Sequence, residues 1–351
     1  MRTFTKTIMA AAMGFAMVTS AYALPNVKIL ATGGTIAGTA ESSTVLTGYK
    51  AGDLGIQVLI NAVPQIKDYA DVTGEQVVKI SSNNMTDEIL LKLARRCNEL
   101  LADPKINGLV ITHGTDTLEE TAFFLNLTVH SKKPIVLVGS MRPATAISAD
   151  GPLNLLNAVK LAADPNAVGK GVMIAMNDVI NGARDATKTN TTNVATFRSP
   201  DAGPLGIIAA GKNIFLHQPA RRHTFNSQFD VSKLGKLPRV DIGYSHANAD
   251  RVAIDAFVKA GAKGIVWAGT GNGSIHDNED AAAFDAVKKG VIFMRSARVG
   301  SGSTTASDQI WTEHGYLESG PLNPQKARIL LQLALTQTQN PAEIQKIFME
   351  Y

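Results

Sequence analysis

Residues 27–38 read VKILATGGTIAG, a short apolar run that ends in two adjacent glycines. The run predicts a β-strand at Val27–Ala31, since nearly continuous apolar strands are typical of a buried parallel sheet. In open α/β sheets, ligands bind beyond the carboxyl ends of the strands, where glycines let the backbone approach closely. The segment 32–38 is therefore a candidate site that displays the hydroxyl of Thr35 beside backbone donors. A simple glycine turn with a hydrogen-bonding threonine fits the same residues equally well.

The two glycines do not form a dinucleotide-binding turn. Their spacing is not G-x-G-x-x-G, and residues 39–49 are rich in Ser, Thr and Gly instead of following a helical pattern. A threonine displayed at a strand end beside backbone N–H groups suits a hydroxyl nucleophile with an oxyanion hole.

Short apolar strands alternate with helical patterns along the rest of the chain, which is typical of α/β proteins. Further strands are predicted at Gln76–Ile80, Gly108–Thr112, Ile135–Gly139 and Val172–Met176, and helices at Asp87–Leu101, Leu118–Leu127 and Leu153–Ala163. A second series has strands at Val240–Tyr244, Gly264–Ala268 and Val291–Met294, and helices at Arg251–Ala260 and Gln325–Leu335.

The predicted fold class is α/β with two α/β domains. A larger N-terminal domain at 24–216 has a mostly parallel sheet, and a smaller C-terminal α/β domain occupies 239–351. Between them, residues 217–238 lose the periodic pattern and read as a linker. The chain has 351 residues, of which 45% are hydrophobic and 18% charged, so intrinsic disorder is excluded.

Residues 1–23 have the pattern of a secretory signal peptide. Two basic residues precede an apolar stretch at Ile8–Val18, and Ala21-Tyr22-Ala23 gives a small-x-small cleavage site. We predict a periplasmic protein, exported and cleaved after Ala23; the alternative is an N-terminal helix kept in the mature protein. No apolar segment of about 20 residues follows, so no membrane-spanning helix is predicted.

Charge and cysteine content exclude several classes of function. The net charge of +4 falls to +2 when the two basic residues of the predicted signal peptide are removed. That is too little for a nucleic acid or anionic membrane partner. Cys97 is the sole cysteine, so an intrachain disulfide, a thiolate metal cluster and a CxxC redox pair are all excluded. Its phase with helical apolar residues predicts a buried thiol.

Two further clusters of polar residues follow predicted strands. One is Thr112-His113-Gly114-Thr115-Asp116-Thr117, which can supply a hydroxyl relay and a site for an ammonium group. The alternatives are that Asp116 or Thr117 caps the next helix, and that His113 only bonds its neighbours. The other cluster contains Lys188, which either transfers protons at the sheet edge or belongs to a solvated loop.

Together these segments resemble a known family. The segments at 32–38 and 112–117 and the stretch Arg184-Asp185-Ala186-Thr187-Lys188-Thr189-Asn190 are similar to exported bacterial L-asparaginases and glutaminase-asparaginases. The resemblance covers essentially all of the predicted mature chain. Further similar segments lie at 141–143, 148–152 and 322–328. Several ordered motifs at matching separations are far more specific than any one of them.

The resemblance implies a catalytic set. Thr35 would be the nucleophile that attacks a side-chain amide, expels ammonia and leaves an acyl-enzyme. Thr115, Lys188 and Asp116 match a second hydroxyl–amine–carboxylate set, in which the lysine takes a proton from the threonine and the carboxylate orients the relay. Tyr49 matches a lid tyrosine, whose closure would exclude water.

The resemblance also implies substrate-binding residues. Ser82 matches the serine that binds the substrate α-carboxylate, and Asp116 would hold the α-ammonium. The other predicted binding residues are Gly34, Asn83, Thr115, Asn272, Ser274 and Gln309.

Three positions depart from the family pattern. Asn83 stands where a longer Gln or Glu is frequent. Ser274 stands where some relatives have asparagine, and serine there resembles members with more glutaminase activity. A glutamate from the neighbouring subunit belongs near 308–313, where the count lands on Gln309, with Asp308 and Glu313 close by.

The resemblance therefore predicts an L-asparagine amidohydrolase with L-glutamine as a slower second substrate. It implies neither cofactor nor metal, and a homotetramer whose sites lie between subunits. One alternative is a glutaminase-asparaginase that uses both amides equally, since one methylene is worth only about 1–3 kcal/mol of discrimination. Others are a cytosolic relative, against which the signal peptide argues, and a periplasmic binding protein that holds an amino acid without consuming it.

Overall fold

The computed structural model describes residues 23–46, 48 and 50–351. Residues 1–22 of the predicted signal peptide and the predicted lid residue Tyr49 lie outside the described residues. None of the helices in the described part of the chain is long and apolar enough to cross a membrane.

The N-terminal part of the chain forms a mixed sheet and a small ribbon. Its strands are β1 (Asn26–Gly33), β2 (Asp71–Ile80), β3 (Gly108–Thr112), β4 (Ile135–Val138), β5 (Val172–Met176), β6 (Val179–Gly182), β7 (Thr187–Lys188), β8 (Phe197–Arg198), β9 (Gly206–Ala209) and β10 (Lys212–Phe215). The sheet order is β10-β9-β6-β5-β4-β3-β1-β2. Strands β2, β1, β3, β4 and β5 are parallel, whereas β6, β9 and β10 pair antiparallel. Strands β7 and β8 form a separate antiparallel ribbon.

Helices cover both faces of this sheet. They are α1 (Ile56–Asn61), α2 (Asp87–Ala102), α3 (Leu118–Thr128) and α4 (Gly151–Ala162). Because successive strand residues point to opposite faces, Ile111 packs into one core with α2 and α3, and Val110 into the other with α1 and α4. This explains why the central strands read as continuous apolar runs.

The C-terminal part forms a smaller parallel sheet in the order β11-β12-β13-β14. Its strands are β11 (Val240–Tyr244), β12 (Gly264–Gly269), β13 (Ile292–Ala297) and β14 (Leu317–Glu318), and its helices are α5 (Val252–Lys259), α6 (Asp277–Lys288), α7 (Gln309–Glu313), α8 (Pro324–Ala334) and α9 (Pro341–Glu350). Helix α8 packs on β11 and β12 and also on α3, so one apolar core continues between the two sheets.

The predicted fold class is confirmed: a larger domain with a parallel-rich sheet precedes a smaller α/β domain. Cys97 is buried as predicted, and burial raises the pKa of its thiol to about 12, which makes it unreactive. The antiparallel strands β6, β9 and β10 were not predicted. Lys188, for which the sequence left open a proton-transfer role at the sheet edge or a place in a solvated loop, lies on the short strand β7.

The turn after β1 predicts a large cost for any side chain at Gly34. Gly34 has φ 81°, and an added Cβ would lie 2.2 Å from the amide nitrogen of Gly114. We expect Gly34→Ala to destabilise the fold by about 2–5 kcal/mol, the sum of backbone strain and overpacking, in thermal or urea unfolding. Gly203→Ala is the matched control, because Gly203 has φ 73° and open space around it. Equal destabilisation by both changes would show that the contact with Gly114 does not matter.

Candidate active site

A cleft of about 530 Å³ opens at the carboxyl edge of the large sheet. Because β1, β2 and β3 are parallel, the residues that follow them meet at this edge: Thr35 after β1, Ser82 after β2 and Thr115 after β3. The residues that line the cleft are Gly34, Thr35, Leu46, Gly48, Ala51, Ser81, Ser82, Gly114, Thr115, Asp116, Met141, Arg142, Lys188, Thr191 and Thr192.

Thr35 opens a single 3₁₀ turn directly after β1 and is 8% exposed. The backbone reaches this turn through two glycines with positive φ, 107° at Gly33 and 81° at Gly34. The N–H of Gly34 donates to the carbonyl of Ile80, at the end of β2, over 2.9 Å. The glycines thus turn the chain sharply at the sheet edge and place Thr35 in the wall of the cleft.

Lys188 brings the second predicted set together. Its Nζ donates to Thr115 Oγ1 over 3.0 Å and to Asp116 Oδ1 over 2.8 Å. Thr115 is buried, and the Lys188 side chain is 18% exposed. This is a hydroxyl, an amine and a carboxylate within direct proton-transfer reach, which excludes a solvated loop as the setting of Lys188.

Ser82 lies where β2 meets the start of α3 and is 3% exposed. Its Oγ accepts a hydrogen bond from the N–H of Asp116 over 3.2 Å, and its carbonyl accepts one from Thr117 Oγ1 over 2.8 Å. Thr117 is the N-cap residue of α3, as one of the alternatives had it, but its side chain makes no capping hydrogen bond. An added Cβ at Gly114 would lie 2.5 Å from Ser82 Oγ, so this glycine allows the two turns to meet.

His113 is fully buried behind the cleft. Its Nδ1 lies 2.7 Å from the Gly114 carbonyl and its Nε2 lies 2.9 Å from Thr121 Oγ1. A neutral ring with the proton on Nδ1 satisfies both contacts, because it donates to the carbonyl and accepts from the hydroxyl. Burial lowers the pKa of His113 to about 4. The side chain therefore holds the Gly114 turn and does not act as a base in the cleft.

This buried histidine predicts a pH dependence of stability. Below pH 6.5 the unfolded chain protonates this histidine while the folded protein does not, so the free energy of unfolding falls as pH drops from 6.5 to 4. A pKa of about 4 against 6.5 makes the loss about 3 kcal/mol. We expect His113→Gln to remove this part of the pH dependence in urea unfolding.

Other titrating groups also make stability depend on pH, so the contribution of His113 has to be measured as a difference between wild type and variant. Burial also lowers the pKa of His223, and it raises that of Glu120 to about 7, which acts in the opposite direction. The difference between wild type and His113→Gln cancels both contributions. His246→Gln, at an exposed histidine, is the control and should leave the pH dependence unchanged. An unchanged dependence in His113→Gln as well would contradict the assignment.

Four predicted binding residues lie away from the cleft. Asn83 is exposed and bonds Asn84. Asn272 Nδ2 donates to Thr305 Oγ1 over 2.8 Å, Ser274 lies in the same turn after β12, and Gln309 Nε2 donates to Glu313 on α7. Asp308 accepts the N–H of Ile310 and so caps α7. None of these four residues, and neither Asp308 nor Glu313, lines the cleft of its own chain as described here.

Sequence reasoning missed several residues of the cleft. Thr191 and Thr192 follow the Lys188 segment directly, and Arg142 belongs to a segment that carried the family resemblance. Their closeness to recognised motifs was the signal available.

No group of three or more His, Cys, Asp or Glu side chains in the described chain is arranged to hold a metal ion.

Comparison with known proteins shows which family the chain resembles. The family model "Asparaginase, N-terminal" matches residues 26–222, and "Glutaminase/Asparaginase C-terminal domain" matches residues 239–348. The chain is 56% identical to "L-asparaginase 2" of Bacillus subtilis, over 93% of this chain and 87% of that protein. It is 51% identical to "Probable L-asparaginase periplasmic" of Haemophilus influenzae, over 95% of each.

A solved structure is similar over the whole fold. The crystal structure of the probable cytoplasmic L-asparaginase from Campylobacter jejuni matches with a TM-score of 0.91 and 52% identity, over 93% of this chain and 100% of that one. Two family models that together span nearly all of the described residues, with relatives above 50% identity, establish the relationship. The chain belongs to the asparaginase family.

Proposed function

We propose that this protein, an enzyme of the asparaginase family, hydrolyses L-asparagine to L-aspartate and ammonia through an acyl-enzyme on Thr35. The observation that carries the proposal is the meeting of Thr35 and the Thr115–Lys188–Asp116 set in one cleft, beside Ser82. L-glutamine is the slower second substrate.

The cleft supplies each group that the reaction needs. The hydroxyl of Thr35 attacks the amide carbon, and the tetrahedral intermediate then expels ammonia. The N–H of Thr115 donates to no described residue, so it is available to donate a hydrogen bond to the developing oxyanion. Lys188, between Thr115 and Asp116, relays the proton that the Thr35 hydroxyl gives up to the amide nitrogen, which then leaves as ammonia. Water then hydrolyses the acyl-enzyme and restores Thr35.

Substrate orientation follows from charge. The exposed carboxylate of Asp116 can hold the α-ammonium, and the Ser82 hydroxyl can donate to the α-carboxylate. The lid role of Tyr49 stays a prediction. A glutaminase-asparaginase of balanced specificity is the second candidate, which the description of the C-terminal family model favours.

The test is ammonia release from L-asparagine and L-glutamine, measured side by side at micromolar and millimolar substrate. We expect rapid release from asparagine and slower release from glutamine. Equal rates would replace this proposal with the balanced enzyme. Tight amino-acid binding without ammonia release would identify a binding protein instead.

We propose that the protein is a homotetramer, with Asn272, Ser274 and Gln309 serving the cleft of a neighbouring subunit. The support is that these residues lie outside the cleft of their own chain. In sedimentation at assay dilution, activity is expected only in the tetrameric fraction. Single subunits with full turnover would contradict the shared site.

We propose export to the periplasm, with cleavage after Ala23. The sequence pattern of residues 1–23 supports it, as does the relative from Haemophilus influenzae whose name includes "periplasmic". The relative from Campylobacter jejuni is named cytoplasmic, so cell fractionation and N-terminal sequencing are decisive. A cytoplasmic protein that retains Met1 would contradict export.

A further inference from the structure

A buried ion pair lies behind the cleft, between the two domains. Lys326 on α8 is 2% exposed and Glu119 on α3 is 5% exposed. Lys326 Nζ lies 3.6 Å from Glu119 Oε2. Burying both charges is costly, so the ion pair by itself is weak evidence for a stabilising role. A different role has to explain why the two side chains are buried together.

The contacts of this pair converge on the strand that carries Lys188. Lys326 Nζ donates to the carbonyl of Ala186, and Glu119 Oε1 accepts the hydroxyl of Thr187 over 3.2 Å. These are the two residues that directly precede Lys188. Strand β7 is only two residues long and pairs only with β8, so it has little sheet support of its own.

Glu119 is also close in sequence to Thr115 and Asp116, the two hydrogen-bond partners of Lys188. It lies in the first turn of α3, which begins directly after Thr115-Asp116-Thr117. Two amides at the start of α8 complete its environment: Asn323 Nδ2 donates to Glu119 Oε2 and Gln325 Nε2 donates to Glu119 Oε1, each over 3.1 Å. The Glu119 carboxylate therefore bonds the segment that precedes Lys188, and Glu119 itself belongs to the helix that follows Thr115. The side chains of these two segments meet at the Lys188–Thr115 hydrogen bond.

We propose that Glu119 and Lys326 are positioning residues, which set the distance between Lys188 Nζ and Thr115 Oγ1 from outside the cleft. The inference rests on the proposed function and deepens it. Through α8, the C-terminal domain then places a proton-transfer lysine of the N-terminal domain. Neither residue lines the cleft, so neither touches substrate.

The test uses the double variant Glu119→Gln/Lys326→Met in the full-length protein. Removing both charges avoids leaving one buried charge unpaired, so we expect the fold to be retained, which thermal unfolding checks. We expect kcat for L-asparagine to fall about 10–100-fold, since misplacement of a reacting group by about 1 Å costs up to about 100-fold. KM is expected to change less than about threefold, because the cleft residues remain.

A second, more exposed ion pair on the same helix is the control. Arg328 on α8 lies 3.6 Å from Asp87 of α2, and its Nε donates to the carbonyl of Val240 on β11 and not to β7. Asp87→Asn/Arg328→Met should keep kcat within about twofold. If Glu119→Gln/Lys326→Met keeps the wild-type kcat, or if both double variants lose kcat equally, the pair is only structural and the proposal fails.

A crystal structure of Glu119→Gln/Lys326→Met separates this proposal from the proposed function. We expect Lys188 Nζ to lie beyond hydrogen-bond distance of Thr115 Oγ1, against 3.0 Å here. That displacement would support positioning even if the wild type released no ammonia. An unchanged Lys188–Thr115 distance would overturn it whatever the activity.

Discussion

Thr35→Ala is expected to lower ammonia release from L-asparagine by at least about a thousandfold while the fold and amino-acid binding are retained. The change removes the attacking oxygen, and loss of a nucleophile in other acyl-transfer enzymes costs about 10⁶-fold in kcat. Binding should persist because Ser82 and Asp116 remain in the cleft. The measurement pairs steady-state ammonia release with calorimetry of L-aspartate.

Thr39→Ala is the matched control for this change. Thr39 lies in the same segment after β1, but its hydroxyl donates to Asp53 over 2.9 Å and it does not line the cleft. Its removal should alter kcat by no more than about twofold. Turnover by Thr35→Ala within about tenfold of wild type would sink the nucleophile assignment.

Lys188→Met should lower kcat by about 10²–10⁴-fold, the usual range for loss of a proton-transfer group. Methionine keeps much of the side-chain volume but cannot bond Thr115 or carry a proton. Thr115→Val is expected to have a similar effect. Because the two side chains act as one unit, the double variant should be little worse than either single variant.

Lys212→Met, at an exposed lysine on β10, controls for loss of a positive charge. It should leave kcat unchanged. Multiplicative losses in the double variant Lys188→Met/Thr115→Val would mean that the two groups act independently, against the direct 3.0 Å contact between them.

The central strands and the first half of the site were predictable from local patterns. Continuous apolar runs such as Gly108–Thr112 indicate strands buried on both faces, and parallel strands bring their carboxyl ends to one edge. That reasoning places the residues that follow each strand, Thr35 and Thr115 among them, at the carboxyl edge of the sheet. Strand patterns could not decide whether residues 32–38 are a simple glycine turn or a catalytic site. That decision required several family motifs in the same order along the chain.

The other parts depend on contacts between distant segments. The pairing of β6 with β9 has no signal in either strand alone, because both are short and partly apolar. The positioning of Lys188 by Glu119 and Lys326 could not be predicted from the sequence either. A glutamate in the first turn of a helix is normally explained by its interaction with the helix dipole. Only the packing of α8 against α3 reveals its other role.

The most direct test of the account is to find where the acyl group resides. Enzyme mixed with L-asparagine is quenched in acid during turnover, digested with trypsin and mapped by mass spectrometry. Residues 29–50 and 106–132 fall in different tryptic peptides, so Thr35 and Thr115 are distinguished. The account predicts an aspartyl adduct on peptide 29–50 that disappears in Thr35→Ala. An adduct on peptide 106–132, or one that survives in Thr35→Ala, would contradict it.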